Sequence, residues 1–312
     1  MIPTSPPLLI VGTGAMACLF AARLSAAGKP VAMLGTWQAG LQALREQGVT
    51  LTEADGSQRT YPARVTDDPE EYRGTQLALV LVKSWQTRRA AQQLKTCLDE
   101  SGVALTLQNG IGNRETLVDI LGATRVALGV TTLGANLAAP GKVIAAGDGP
   151  IAIGVHTRMI PMIDTLRSTG FTVEDAPDPD VLLWGKLVIN AAINPLTALL
   201  RVPNGELLER PTARALMISL ARETAAVAAT LGYSLYDFNP TAAVEAVARR
   251  TAANRSSMLQ DVQRGAPTEI DAICGAVVRA GEQTGVPTPI NQLIWQLVKA
   301  LYRESNTENN PT

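Results

Sequence analysis

Hydrophobic residues are spaced in one way before about residue 178 and in another way after it. In the first part, short apolar runs alternate with segments of helical periodicity, which is typical of an α/β fold with a parallel sheet. The run at 77–82 is apolar at every position, as expected of a strand buried on both faces. The predicted strands are 8–11, 31–34, 77–82, 103–107, 125–131 and 171–174.

Helices and hairpins occupy the intervals between these strands. One hairpin is predicted at 49–63, with its turn at Asp55-Gly56, and a second at 143–153, with its turn at Gly147-Asp148-Gly149. The predicted helices are 38–47, 87–98 and 159–169, together with one that directly follows the first strand.

The strand pattern stops at Pro177-Asp178-Pro179-Asp180, the clearest break in the chain. Beyond it the predicted helices are 181–200, 211–231, 242–254, 268–284 and 290–304, and the segments 1–7 and 305–312 are predicted to be tails. A length of 312 residues suits two domains of ordinary size. We therefore predict an α/β domain at 1–178 and an all-helical domain at 179–312.

A glycine-rich turn follows the first predicted strand. Its sequence is Gly12-Thr13-Gly14-Ala15-Met16-Ala17, and a helix and a second strand follow within about 30 residues. Gly12 permits a tight turn, Gly14 lets the backbone approach a pyrophosphate at the helix N-terminus, and Ala17 is small enough for close helix–strand packing. The context predicts an N-terminal Rossmann dinucleotide-binding domain; the alternative is a tight turn without a ligand.

A row of polar residues interrupts the apolar helix predicted at 181–200. Lys186, Asn190 and Asn194 are spaced i, i+4, i+8 and so share one helix face. Burying unpaired polar groups costs roughly 2–7 kcal/mol each, so these side chains either pair internally or face a ligand. The helix alone leaves both interpretations open.

Other polar positions have a structural and a functional interpretation. Lys83, Asn109 and Ala135 fall at or near strand ends, where ligands bind in open α/β sheets, but residues there also serve in caps and turns. Ser257 is a candidate helix cap, and Glu269 a carboxylate in the first turn of the helix predicted at 268–284, where it would complement the helix dipole.

Composition excludes several classes of function. The net charge of −1 without a Lys/Arg run argues against nucleic-acid binding, and no uncharged apolar run is long enough to cross a membrane. Three separated cysteines and the single His156 suggest a reducing cytoplasm and no metal site or histidine-based catalysis. The apolar segment 8–24 lacks a preceding positive charge, so a secretory signal is not expected.

Further motifs, in this order and at these intervals, resemble the ketopantoate reductase family (2-dehydropantoate 2-reductase) over nearly the whole chain. They are Gly12-x-Gly14, Leu81-Val82-Lys83-Ser84-Trp85-Gln86, Gln108-Asn109-Gly110, Trp184-Gly185-Lys186 with Asn190, Asn194-Pro195-Leu196-Thr197-Ala198, Pro203-Asn204-Gly205-Glu206, Ser256-Ser257-Met258-Leu259-Gln260-Asp261 and Thr268-Glu269-Ile270-Asp271. Because this set of motifs is specific, we expect the polar row of the helix predicted at 181–200 to have a functional role and not a purely structural one.

The resemblance implies a cytoplasmic, homodimeric enzyme that reduces a 2-oxo acid, ketopantoate, to pantoate with NADPH in pantothenate synthesis. It implies Lys186 as the general acid, with Glu269 as a second catalytic residue. The implied cofactor-binding residues are Gly12, Thr13, Gly14, Ala15, Met16, Ala17, Lys83, Asn109, Ala135 and Glu269. The implied substrate-binding residues are Asn109, Lys186, Asn190, Asn194, Asn204 and Ser257.

Elementary chemistry agrees with these roles. Hydride delivery to a ketone builds negative charge on its oxygen, which a protonated lysine stabilises before giving up its proton. Two rival interpretations remain: a related reductase of another small 2-oxo acid, and a dinucleotide sensor without turnover. Retention of Lys186 with its asparagine partners argues against the sensor.

The loop after the second strand departs from the family pattern. Its sequence is Gly35-Thr36-Trp37-Gln38-Ala39-Gly40. It lacks the arginine that binds the NADPH 2′-phosphate in many relatives, and also the carboxylate that NAD enzymes place about 20 residues after the first glycine. Thr36 and Gln38 can donate hydrogen bonds, Trp37 can stack on adenine, and Lys83 and Arg45 are the nearest basic candidates by sequence. We predict NADPH over NADH, by a narrower margin than an arginine would give.

Overall fold

The computed structural model describes residues 8–233 and 238–301. The predicted tails and the end of the last predicted helix, beyond residue 301, lie outside the described residues. The chain divides into two compact units. The first comprises Met1–Gln108 and Gly112–Pro179, and the second comprises Asn109–Ile111 and Asp180–Thr312. We call them the sheet unit and the helical unit.

The sheet unit contains two β-sheets. The strands are β1 Leu9–Val11, β2 Ala32–Leu34, β3 Val49–Thr52, β4 Gln58–Tyr61, β5 Arg64–Thr66, β6 Thr75–Val80, β7 Leu98–Thr106, β8 Val126–Thr131, β9 Gly134–Ala139, β10 Lys142–Gly147, β11 Ile151–Gly154 and β12 Val173–Ala176. Eight of them form one sheet in the order β12-β11-β8-β7-β6-β1-β2-β5, and the other four form a sheet in the order β4-β3-β10-β9.

The helices complete the two units. They are α1 Ala15–Ala26, α2 Gln38–Gln47, α3 Thr87–Cys97, α4 Asn113–Leu121 and α5 Ile160–Ser168 in the sheet unit, and α6 Pro179–Leu200, α7 Glu206–Glu209, α8 Pro211–Thr230, α9 Pro240–Arg250, α10 Ser257–Gln263, α11 Cys274–Thr284 and α12 Pro289–Lys299 in or entering the helical unit. All described strands precede α6.

The large sheet is parallel over β5, β2, β1, β6, β7 and β8. Strand β1 pairs with β2 on one side and with β6 on the other, so the chain reverses its direction of travel across the sheet after β5. Such a switch point is where doubly wound sheets bind their ligands, outside the carboxyl ends of the strands. Strands β11 and β12 form an edge that runs opposite to β8.

Helix α1 packs against strands of both sheets. Its sequence is apolar on nearly all sides, and Leu19, Phe20 and Leu24 are fully buried, as expected of a helix covered on more than one face. Phe20 also stacks on Phe171, with ring centroids 4.7 Å apart. This packing fixes the N-terminus of α1 directly behind β1, where the glycine turn lies.

Alternate residues of the parallel strands belong to two separate cores. Ile10 belongs to the core that includes α1 and α5, whereas Leu9 and Val11 pack with residues of α3 and α4. A strand between two helical layers reads as apolar at every position, which accounts for the runs seen in the sequence. The predicted fold class, an α/β Rossmann domain followed by an all-helical domain, is confirmed.

The helical unit is organised around α6. Trp184, Leu187 and Val188 are buried in a core shared with α8, α9, α11 and α12. Among the described residues, α6 is the one helix long and apolar enough to cross a membrane, but 67% of its most apolar window is buried inside the protein, as in the core helix of a soluble fold. This burial makes the polar residues on α6 informative.

Two predictions of local structure are wrong. The segment 143–153 is not a hairpin, because β10 pairs with β3 and β9 in the small sheet, whereas β11 pairs with β8 and β12 in the large one. The helix predicted at 268–284 begins only at Cys274. Residues 269–273 form turns instead, so Glu269 does not lie in a helix's first turn.

Candidate active site

The glycine turn connects β1 to α1. Gly12 has a φ of +128°, and a Cβ there would lie 3.1 Å from the Leu81 carbonyl oxygen, so both backbone conformation and space require glycine. Its N–H donates to the Leu34 carbonyl over 2.7 Å. The turn is thereby tied to the ends of the neighbouring strands β2 and β6.

The N-terminus of α1 fits a pyrophosphate. A Cβ placed on Gly14 would meet no protein atom within 4 Å, so the backbone there is open to close approach. The first turn of α1 contains no acidic residue, and Gly14 supplies no side-chain cap, which leaves the first N–H groups and the positive end of the helix dipole for an anion. Thr13 and Ala17 are buried, whereas Ala15 and Met16 are partly exposed beside this turn.

The loop after β6 lies at the same edge of the sheet. Leu81 N–H donates to the Val11 carbonyl over 2.9 Å, which places Lys83 in the loop that follows the strand beside β1. The Gln108 amide, after β7, donates to the Val82 carbonyl and to Thr87 Oγ1, each over 2.9 Å. The loops after β6 and β7 are therefore held to each other.

Ala135 lies elsewhere than the strand-end pattern indicated. It belongs to β9 of the four-stranded sheet, where it pairs with Ala145 of β10, rather than to a loop at the end of β8. Asn109 also has an unexpected position, since residues 109–111 belong to the helical unit. The Ile111 N–H donates to the Ala272 carbonyl over 2.9 Å, three residues beyond Glu269.

The three residues of the polar row lie in one unbroken helix, α6. Lys186, Asn190 and Asn194 all lie within Pro179–Leu200; Asn194 is buried and the other two are partly buried. Pro195 follows inside the helix and has no N–H, so the Ala191 carbonyl loses its helical donor. The Cys274 thiol donates to that carbonyl instead, over 3.7 Å. The carbonyl that loses its helical donor at Pro195 is therefore still hydrogen-bonded.

Lys186 has a strongly perturbed amine. Burial lowers its pKa from 10.5 to about 8, and the negative charge of Glu269 acts against this by raising it. Glu269 is itself buried, at 5% exposure, in the turns before α11. A lysine with a pKa near 8 carries a proton at neutral pH yet releases it readily, which suits a general acid.

Ser256, and not Ser257, is the cap of α10. Ser256 Oγ accepts from the Leu259 N–H over 3.1 Å and from the Thr197 hydroxyl over 2.7 Å. Its own hydroxyl donates to the Asn194 carbonyl over 3.4 Å. The prediction of Ser257 as a cap is wrong by one residue, and Ser257 is the first residue of α10. The cap joins the start of α10 to the end of the polar row.

Asn204 donates two hydrogen bonds to the segment before α10. Its N–H donates to the Asn254 carbonyl over 3.0 Å, and its Nδ2 donates to Thr251 Oγ1 over 2.9 Å. Its Oδ1 is buried without a hydrogen-bond partner among the described residues. The Nδ2 contact with Thr251 fixes the orientation of this carboxamide.

One contact near the glycine turn could not be found from the sequence. Arg89 in the first turn of α3 donates from Nη1 to Thr36 Oγ1 over 3.2 Å, although the two residues are 53 positions apart.

His156, the single histidine, lies in the sheet unit, where its Nδ1 accepts from the Arg158 N–H and caps a short helical turn. No cluster of potential metal ligands occurs among residues 8–233 and 238–301.

The chain matches known proteins over nearly its whole length. Two family models match: "Ketopantoate reductase PanE/ApbA" over residues 8–158, and its C-terminal counterpart over residues 180–302. The chain is 35% identical to the 2-dehydropantoate 2-reductase of Archaeoglobus fulgidus, over 94% of this chain and 96% of that protein. It is 33% identical to the Vibrio cholerae protein of the same name, over 94% and 97%.

Solved structures extend the comparison. A PanE/ApbA family ketopantoate reductase from Ralstonia eutropha JMP134 is 31% identical, with a TM-score of 0.86, covering 94% of this chain and 98% of that one. D-mandelate dehydrogenase, solved with NADH and anilino(oxo)acetate, is 25% identical, with a TM-score of 0.88 over 94% and 97%. Fold, site and matches together define an oxidoreductase of the Rossmann type that uses a nicotinamide cofactor. The chain belongs to the ketopantoate reductase family.

Proposed function

We propose that the protein catalyses the NADPH-dependent reduction of 2-dehydropantoate (ketopantoate) to pantoate, a step of pantothenate synthesis, in the cytoplasm. The observation that carries the proposal is Lys186: a partly buried lysine with a pKa of about 8, on a helix face shared with Asn190 and Asn194. The relatives named 2-dehydropantoate 2-reductase supply the substrate.

The proposed mechanism places the proton at Lys186 Nζ. The bound nicotinamide supplies a hydride to the carbonyl carbon of the 2-oxo acid. As the carbonyl oxygen gains negative charge, the ammonium of Lys186 stabilises that charge and then transfers a proton to the oxygen. The product is a 2-hydroxy acid, and Lys186 is left neutral until it takes a proton from water.

The other polar residues of the helical unit orient the substrate in this proposal. Asn190, Asn194 and Asn204 donate and accept hydrogen bonds without adding charge, which suits a hydroxyl and a carbonyl. Ser257 contributes its hydroxyl from the first residue of α10. Asn109 serves both ligands, and Glu269 either keeps Lys186 protonated or holds a substrate hydroxyl.

In this proposal, some residues bind the parts that NADPH and NADH share, and the loop after β2 distinguishes the two cofactors. Gly12 to Ala17 hold the pyrophosphate, and Lys83 and Ala135 lie beside the cofactor. Preference for NADPH is supported by the loop after β2, where no carboxylate is present to bind the ribose hydroxyl of NADH or to repel a phosphate. The 2-oxo acid and this cofactor are the expected small-molecule partners.

A second candidate function is the reduction of another 2-oxo acid by NADH to its 2-hydroxy acid, with oxidation of the 2-hydroxy acid by NAD⁺ as the reverse reaction. The similarity to D-mandelate dehydrogenase with bound NADH, at a TM-score of 0.88, favours this alternative. The polar residues of the helical unit recognise the common part of such substrates, the 2-oxo acid, and leave the alkyl or aryl group undetermined.

A matrix of two substrates and two cofactors tests the proposal. Initial rates are measured with ketopantoate or phenylglyoxylate, each with NADPH or NADH. We expect the highest kcat/KM for ketopantoate with NADPH. A higher kcat/KM for phenylglyoxylate with NADH would support the second candidate instead, and binding of cofactor without turnover of either substrate would favour a sensor.

The proposal includes a homodimer. The resemblance to the family favours it, and α12 exposes Leu293 and Leu297, four residues apart on one face. Sedimentation velocity is the appropriate measurement, because the monomer has a mass of 32.9 kDa and a dimer twice that. A monomer at micromolar concentration would reject this part alone.

A further inference from the structure

The loop after β2 is where a Rossmann domain distinguishes the two nicotinamide cofactors, because the adenine ribose lies there. In this chain the loop at residues 35–40 has neither an arginine nor a carboxylate. Trp37 and Gln38 are exposed in it, and Thr36 is partly exposed. Recognition of a 2′-phosphate therefore needs a cation from another element.

Helix α3 brings a cation to this loop. Arg89 donates from Nη1 to Thr36 Oγ1 over 3.2 Å; the Arg89 side chain is exposed and Thr36 is partly exposed. The sheet explains the approach: α3 follows β6, β6 pairs with β1, and β1 pairs with β2, all in parallel. The first turn of α3 and the loop after β2 consequently lie at the same carboxyl edge of the sheet.

Of the two basic residues that the sequence favoured, Lys83 and Arg45, Arg45 contacts a neighbouring strand and its following loop. Arg45 pairs with Asp67, with Nη2 and Oδ1 3.2 Å apart, and its Nε donates to the Val65 carbonyl over 3.4 Å. The Gln38 amide also donates to Asp67, over 3.1 Å. Arg45 and Gln38 thus neutralise and hold a neighbouring carboxylate, and Arg89 is the cation whose contact with Thr36 the structure describes.

The position of Arg89 is not explained by helix stability. Arg88 and Arg89 both lie in the first turn of α3, which contains no acidic residue. The positive end of the helix dipole disfavours cations there. An exposed hydrogen bond to Thr36 contributes little to folding, so a residue that violates a local preference in this way indicates function.

We propose that Arg89 is the specificity-determining residue for the 2′-phosphate of NADPH, acting across from Thr36 in place of an arginine within the loop. The inference rests on the proposed function and deepens its cofactor choice. The planar guanidinium of Arg89 presents several N–H donors, of which the described contacts use one. The others suit the oxygens of a phosphate, which arginine binds in a bidentate manner.

Calorimetric binding of two small probes tests this inference without turnover. Adenosine 2′,5′-bisphosphate carries the 2′-phosphate, and 5′-AMP lacks it. The variants are Arg89→Gln, Arg89→Lys and, as a matched control on the same helix turn, Arg88→Gln. We expect Arg89→Gln to weaken binding of the bisphosphate about 10- to 100-fold, the worth of a charge-assisted hydrogen bond, and to leave 5′-AMP unchanged.

The controls separate the possible outcomes. Arg89→Lys should recover part of the loss, and Arg88→Gln should bind both probes like the wild type. In kinetics, Arg89→Gln should raise KM for NADPH and leave KM for NADH and kcat nearly unchanged. If the wild type prefers the bisphosphate and Arg89→Gln does too, the assignment of Arg89 is wrong while the NADPH preference stands. If the wild type shows no preference, the proposed cofactor choice fails and Arg89 loses its role with it.

Discussion

Two opposing effects act on the pKa of Lys186, and their balance decides at which pH it could act as the proposed general acid. Burial lowers its pKa to about 8, because the charged form loses hydration, and Glu269 raises it by attraction. A general acid has to be protonated before the hydride arrives, so kcat/KM should be constant below the pKa of Lys186 and fall as pH rises above it. We expect the falling limb near pH 8.

Removing the charge of Glu269 should shift this limb. In Glu269→Gln the attraction that raises the Lys186 pKa is lost while its burial remains, so the pKa should decrease. The falling limb of kcat/KM then moves to lower pH, and it should stay in place in Glu282→Gln, an exposed glutamate of the same unit. A limb that moves to higher pH, or not at all, would contradict the electrostatic role of Glu269.

At the scale of residues, the sequence was sufficient to predict which side chains share a helix face, but not which groups surround each side chain. The spacing of Lys186, Asn190 and Asn194 was sufficient to predict one helix face, because helical periodicity is local. The environment of Glu269 was not predictable, since the helix that would have placed it in a first turn begins at Cys274. The contact between Arg89 and Thr36 depends on the pairing of three strands, which no local pattern encodes.

At the scale of elements, the cap of α10 connects folding to the site. Ser256 closes the N-terminus of α10 and links it to Thr197 and Asn194 of α6. The adjacent Ser257 begins the helix and is partly exposed. Neighbouring serines therefore have separate roles, one in positioning the helix and one in the proposed substrate binding.

The two serines form a matched pair for measurement. Ser256→Ala should lower the free energy of unfolding by about 1 kcal/mol or more, since it removes a helix cap and two buried hydrogen bonds. Ser257→Ala should change stability by less than about 0.5 kcal/mol, as surface substitutions do, but raise KM for ketopantoate. Urea denaturation and steady-state kinetics on the same preparations distinguish them, and an equal loss of stability in both variants would refute the separation.

Elements with a strong local pattern were predicted well, and those defined by pairing were not. Helix α2 begins and ends where the sequence indicated, at Gln38 and Gln47, and Gly48 ends it with a φ of +74°. The segment 143–153 shows two strand signals around a glycine turn, yet its two strands join different sheets. Which sheet each strand joins depends on partners distant in sequence, and the turn residues do not predict those partners.

At the scale of the whole molecule, most residues of the proposed cofactor site and those proposed for the substrate belong to different units. The glycine turn and Arg89 belong to the sheet unit, and Lys186, Glu269 and the asparagines belong to the helical unit. The sequence prediction of a boundary near residue 178 rests on the change of hydrophobic period at 177–180, because such a change marks a change of architecture. The assignment of residues 109–111 to the helical unit could not be seen in the sequence, since it depends on the contact of Ile111 with Ala272.

The central claim is that Lys186 protonates the substrate in a reduction by NADPH, and kcat of Lys186→Met on ketopantoate tests it most directly. Methionine keeps the apolar stem and removes the proton. We predict a decrease in kcat of roughly 10²–10⁴, the usual worth of a positioned acid, with NADPH affinity by fluorescence titration unchanged. Lys299→Met, a surface control in the same unit, should keep the wild-type kcat. A near-native kcat in Lys186→Met, with NADPH still bound, would contradict the account.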